Sequence, residues 1–197
     1  VKAARADGQG ALALTDLGNL FGAVKFYRAC MGKGIKPIIG VDLGMEPWGP
    51  STSLGAAVQH AQGSDALRGV TRLLVLAQDN RGYLGLCQLL ARAWTTNVQR
   101  NQALVKWAWL DELRDGLLAL SGADGGALGQ ALLQGDVPRA EAIAQQLAAT
   151  FDGRFYVEIQ RSGAATNEAH VQAACQLAAR LRLPVVATHP VQYLEPD

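Results

Sequence analysis

The sequence predicts an α/β fold built around a mostly parallel sheet. Short apolar runs rich in branched residues alternate with longer segments of helical periodicity, the pattern of repeated strand–helix units. Two of the apolar runs end at acidic residues, Asp16 and Asp42, and the first is followed by a glycine turn that opens a helix. At 197 residues and 49% hydrophobic the chain fits one domain with ample material for a core. The alternation alone fits a (β/α) barrel and a doubly wound sheet equally well.

In chain order, Lys2 to Ala6 reads as the tail of a helix entering a first strand, Ala11 to Thr15. The start at Val1 leads us to expect that the natural chain begins earlier. A helix over Leu20 to Met31 leads to a second strand, Pro37 to Leu43. Glu46-Pro47-Trp48-Gly49-Pro50 through Gly69 breaks the rhythm, being rich in Gly, Ser, Ala and Pro, and reads as an irregular insertion at 46–69. A strand over Arg72 to Ala77, a helix over Tyr83 to Ala93 and a strand over Gly116 to Ser121 follow. Between the last two, Trp94, Trp107 and Trp109 lie among Arg92, Arg100 and Lys106, a mixture that suits helices packed on a sheet and also suits a partner surface.

The remaining elements are a helix over Gly126 to Leu133, a helix over Arg139 to Thr150, a strand over Arg154 to Ile159, a helix over Asn167 to Leu181 and a strand over Leu183 to Thr188. Asp136-Val137-Pro138 sets a capping carboxylate before a proline in a first helical turn. Thr166 or Asn167 can cap the later helix, whose Val171, Ala174, Cys175, Leu177, Ala178 and Leu181 recur at helical spacing.

Charge narrows the function. Lys plus Arg number 18 against 17 Asp plus Glu, a net +1, so no overall basic field is available for a phosphate backbone. The three cysteines, Cys30, Cys87 and Cys175, are far apart and form no CxxC pair, which points to a reducing cytoplasmic setting. No apolar run has the ~18 residues of a membrane span. The glycine turns at Thr15 to Gly18 and Ser121 to Gly126 match neither GxxxxGK[ST] nor a complete GxGxxG fingerprint and read as tight strand-to-helix turns. His60, in the insertion, and His170, on a helix, read as surface residues. Asp16 and Asp42 remain. At the carboxyl ends of parallel strands they would face one mouth, where hard divalent cations take oxygen ligands, but two carboxylates are too few to specify a site.

The blocks Ala13 to Tyr27 and Gly34 to Asp42, with Phe155 to Gly163 and Ala187 to Leu194 in the same order, resemble the polymerase and histidinol phosphatase (PHP) family. The branch resembled is that of bacterial replicative DNA polymerase III alpha subunits, which the wording Gly18-Asn19-Leu20 to Phe26-Tyr27 fits best. The resemblance implies a distorted (β/α)7-type barrel over residues 1–197, incomplete at its N-terminal end because the family's His-x-His strand would lie before Val1. It also implies metal ligands at strand ends, several of which are replaced here.

Active members read Thr-Asp-His where this chain has Thr15-Asp16-Leu17, and carry a histidine where Ser162 stands. A block that reads Ala-Thr-Asn-Asp-Val-His-Tyr-Leu appears here as Ala187 to Leu194, with Pro190 and Gln192 at the aspartate and histidine. Asp16, Asp42 and His189 are what remains of the cleft. Asp124 is expected to border it. The expectation is a catalytically degenerate domain without a cofactor of its own, belonging to a polymerase that uses Mg. It would serve as a docking module for the proofreading exonuclease (epsilon) and other replicase subunits, with DNA reached through the parent protein. The alternatives are a 3′–5′ exonuclease, or a PHP phosphoesterase, with a residual divalent metal at Asp16 and Asp42.

Overall fold

The computed structural model describes residues 1–49, 69–163, 166–189 and 191. The described chain runs α1 (Lys2–Ala6), β1 (Ala11–Leu17), α2 (Ala23–Met31), β2 (Lys36–Met45), β3 (Thr71–Ala77), α3 (Asn80–Thr96), β4 (Val98–Gln99), β5 (Gln102–Val105) and α4 (Trp107–Leu113). It continues through β6 (Leu117–Leu120), a 3₁₀ turn (Ala123–Gly125), α5 (Ala127–Leu133), α6 (Val137–Phe151), β7 (Phe155–Gln160), α7 (Asn167–Leu181) and β8 (Val185–Thr188). Each strand and helix expected from sequence is present. The hairpin β4–β5 and the short α4 are additional.

All eight strands belong to one sheet, in the order β4-β5-β2-β3-β6-β7-β8, with β1 also paired to β2. β2 is the hub: β1 runs parallel to it from Lys36 to Asp42, β5 parallel at Gly44 and Met45, and β3 antiparallel from Gly40 to Met45. β3 is antiparallel to β6 as well, while β6–β7 and β7–β8 are parallel. The expected mostly parallel sheet is therefore a mixed one. An antiparallel neighbour needs only that the chain turn back at the same end of the sheet, whereas a parallel one needs a crossover. Among the described residues no ladder joins β8 to β1, so closure of the sheet into a barrel is not seen. Of the expected insertion at 46–69, residues 50–68 lie outside the described residues.

The core lies between the sheet and the helices. Val41, Leu43 and Met45 of β2 and Leu73 and Val75 of β3 pack against Leu86 and Leu89 of α3, and the same core takes in Ile143 and Phe151 of α6 and Leu177 of α7. Helix starts follow their caps. Asp79 accepts the Gly82 N–H at 3.0 Å at the head of α3, and Asp136 accepts the Arg139 N–H at 3.2 Å with Pro138 in the first turn of α6. Thr166 holds the N-cap position of α7 without a side-chain cap bond. Gly82 is required by packing, since a Cβ there would lie 1.9 Å from the Gly116 carbonyl oxygen. α1 and α2 rest on a separate small cluster of Ala4, Cys30 and Ile35. Cys30, Cys87 and Cys175 are all free thiols.

Candidate functional site

The face of the sheet opposite the main core lines an open cleft of about 1080 Å³. Its floor is apolar, from Leu74 and Leu76 of β3, Leu118 and Leu120 of β6 and Val186 of β8. Most of its polar groups collect at one end, where the parallel strands finish and the reversed β3 begins, while Asp7 and Gln9 lie at the other, before β1. Strand alternation produces this arrangement: residues facing the cleft interleave with residues facing the helices.

Asp42 sits in this polar end and forms an ion pair with Arg72 at the start of β3. Its second oxygen is buried without a hydrogen-bond partner. Glu158, on β7, is 2% exposed and accepts three bonds: from the Gly122 N–H at 3.0 Å, the Gln160 amide at 3.0 Å and the Thr188 hydroxyl at 2.5 Å. Asp124 accepts from Thr166 at 3.3 Å and Asn167 at 3.4 Å. Ser162 donates from both its N–H and its hydroxyl to the Asn167 side-chain oxygen, at 2.8 and 3.1 Å. Apart from that second Asp42 oxygen, these carboxylates are engaged by groups of the protein itself.

Asp16 does not join this set. In the β1–β2 register Leu17 is the partner of Asp42, and Asp16 is the partner of Val41. A Cβ on Gly40 would touch Thr15 and Leu76, which places Thr15 and Leu17 on the cleft face and Asp16 on the helix face, beside Gly22. The expectation that Asp16 and Asp42 share a mouth is corrected on this ground. A period of two sends adjacent residues to opposite faces.

Leu17 lies at the strand end, 61% exposed, and His189 is exposed at the cleft rim after β8. Pro190, Gln192 and His60 lie outside the described residues. Among the described residues no three His, Cys, Asp or Glu side chains gather as a cation cage. Among the described residues Leu17 offers no donor, Arg72 pairs with Asp42, and protein donors surround Glu158.

Sequence reasoning passed over three groups. Arg72 could be found only by knowing that β3 is antiparallel and brings its first turn of residues to the end of β2. Glu158 reads as one more strand residue until its burial is seen. His170 is not a surface residue: it is 1% exposed, four positions before the buried Ala174, and that spacing was the available signal. Burial pushes the His170 imidazole below the usual histidine range, with Asp124 and then Glu158 pulling it back up.

A folded-state pKa below the unfolded value means the unfolded chain binds the extra proton first. Stability from this group is therefore full above about pH 6.5 and is lost as pH falls through the folded-state value. Urea midpoints measured from pH 7.5 downward should decline below that point, with a shallower slope in His170→Gln.

The tryptophans are structural. Trp109 is buried, with the Arg92 guanidinium 4.6 Å from its ring centre. Trp107 donates to the Glu46 carbonyl at 2.9 Å and meets Trp48 edge-on at 4.8 Å. Trp94 is exposed and donates to the Gly18 carbonyl at 2.9 Å, bracing the turn between β1 and α2. Trp109 is thereby withdrawn from the surface, and Trp107 is half-buried.

Comparison with known proteins agrees with this architecture. A family model described as PHP domain matches residues 1–162. The DNA polymerase III subunit alpha of Pseudomonas aeruginosa is 36% identical over 196 residues, covering 100% of this chain and 15% of the relative. That of Escherichia coli K12 is 36% identical over 195 residues, covering 99% and 15%. That of Neisseria meningitidis serogroup A is 38% identical over 191 residues, covering 95% and 15%. The chain thus spans about 15% of the length of these curated relatives. No helix among the described residues is long and apolar enough to cross a membrane. With its α/β sheet, its strand-end cleft and a match running from the first residue through β7, the chain belongs to the PHP domain family.

Proposed function

We propose that this chain is the PHP domain of a bacterial replicative DNA polymerase III alpha subunit, working in the cytoplasm as a docking and bracing module. Its partners in this reading are the epsilon proofreading exonuclease and other replicase subunits, with DNA engaged by the parent polymerase, whose Mg chemistry lies elsewhere. The observation that carries the reading is the Asp42–Arg72 pair: a guanidinium fixed on the cleft's carboxylate stands where a hydrolytic site would need an exchangeable cation. Asp16 on the opposite face and Leu17 at the strand end support it. Near-zero net charge supports a protein partner over nucleic acid.

The test uses the full-length alpha subunit. Titration with purified epsilon should give saturable binding by calorimetry, and elemental analysis should find no Mn or Zn that depends on Asp42. Absence of epsilon binding at ~10 μM removes the docking role. Tightly bound Mn or Zn, together with release of 3′-terminal nucleotides that Asp42→Asn abolishes, would establish the exonuclease or phosphoesterase alternative instead.

A further inference from the structure

The helix α2 presents two apolar faces where one suffices for folding. Ala23 and Cys30 are buried, and Phe26 packs against the small cluster beneath. On the adjoining flank, ~100° round the helix, Val24, Tyr27 and Met31 recur at i, i+3 and i+7 and are all exposed. Phe21, one turn earlier, extends the stripe and is 91% exposed. Its presentation is fixed by a tight turn in which Asn19 accepts the Phe21 N–H at 3.0 Å and donates to the Leu17 carbonyl at 3.0 Å. The exposed Trp94, through its bond to Gly18, holds the same turn from the other side. A soluble surface scatters large apolar residues singly; a stripe of them continued by an exposed phenylalanine on a hydrogen-bonded turn marks an interaction site.

Charge identifies what the stripe accepts. Between Asp16 and Asp42 the chain contains no acidic residue, and Lys25, Arg28, Lys33 and Lys36 are all exposed. On the helix itself Arg28 borders the stripe on the side away from the buried face, with Lys25 beyond it. An apolar centre with a basic rim complements an apolar protein segment edged with carboxylates, in the helix-in-groove manner of anchors spaced three and four apart. A phosphate backbone would need the basic groups at the centre.

We infer that Phe21 and the outer face of α2 form the docking surface for an acidic-edged apolar segment of the partner subunit; this rests on the docking role proposed above. Aromatic and apolar anchors supply the affinity, and the basic rim speeds and orients the encounter.

The test measures affinity of the full-length alpha subunit for purified epsilon by calorimetry at low and high salt. Phe21→Ser combined with Met31→Ser should weaken binding by ~10-fold or more. Lys25→Glu combined with Arg28→Glu should weaken it by ~3- to 10-fold at low salt and flatten its salt dependence. All four positions are exposed, so melting temperature and polymerase activity should stay at the unsubstituted level. Unchanged affinity in both variants overturns the α2 assignment and leaves the docking role standing. Failure of the unsubstituted subunit to bind overturns both. Loss of primed-DNA affinity in the charge variant, with epsilon binding intact, would make the face a nucleic-acid contact and overturn this inference.

Discussion

Gly82→Ala is expected to destabilise the domain by about 2 kcal/mol or more, even though alanine is the better helix former by ~1 kcal/mol. The new Cβ would lie 1.9 Å from the Gly116 carbonyl oxygen and 3.2 Å from Leu117 Cδ2. Neither neighbour can retreat easily. Gly116 leads into β6, and the Gly82 N–H is itself tied to Asp79 at the helix head. Relief would have to come from lifting the first turn of α3 off the sheet. Gly32→Ala is the control: its Cβ would meet nothing closer than the Arg28 carbonyl oxygen at 3.4 Å. Its effect should stay within ~0.5 kcal/mol. Guanidinium denaturation of both variants, with equal slopes, decides the matter.

Glu158→Ala is expected to cost about 3 kcal/mol, because it strands several donors at once in a buried position. The Gly122 N–H, the Gln160 amide and the Thr188 hydroxyl all converge on this carboxylate. They come from the turn after β6, from β7 and from β8, so one side chain laces three neighbouring elements at the polar end of the cleft. Glu158→Gln keeps the shape and one acceptor oxygen and should cost about 1 kcal/mol. Chemical denaturation supplies both numbers, and near-UV circular dichroism reports the order of Tyr156 beside the cleft. Equal stability of the alanine variant would mean that the buried carboxylate is dispensable to the fold.

Periodicity located the elements well because burial on one face writes directly into spacing. Ala11 to Thr15 and Pro37 to Leu43 fall inside β1 and β2, and the Asp136 cap and Pro138 mark the start of α6 as expected. Direction is a different kind of information. The strand Arg72 to Ala77 has the same alternation whichever way it runs, so nothing in it announces an antiparallel β3 or the approach of Arg72 to Asp42. Asp16 failed for a related reason: counting strand ends ignores the face, and the register that fixes the face is a property of the pair. His170 is legible, since it stands four positions before Ala174 on the buried face of α7, yet a histidine's polarity alone suggests a surface position. The replacements at Leu17 and Ser162 could be named only by likeness to a family, because an exposed leucine or a loop serine carries no message about a ligand that is not there.

The small cluster of Ala4, Cys30 and Ile35 beneath α1 and α2 has a consequence for cooperativity. The α1–β1–α2 segment is joined to the rest chiefly through one edge of β2 and, apart from the half-buried Leu20 of its connecting turn, does not share the large core. Such a segment can open without global unfolding, and its amides should exchange with solvent ahead of those in α3 or α6. The proposed docking face is carried by this less protected unit. A partner that clasps α2 must also bear the free energy of holding it closed, so binding and local order are two readings of one equilibrium. Slowed exchange across residues 11–31 on complex formation, with α6 unchanged, would be its signature.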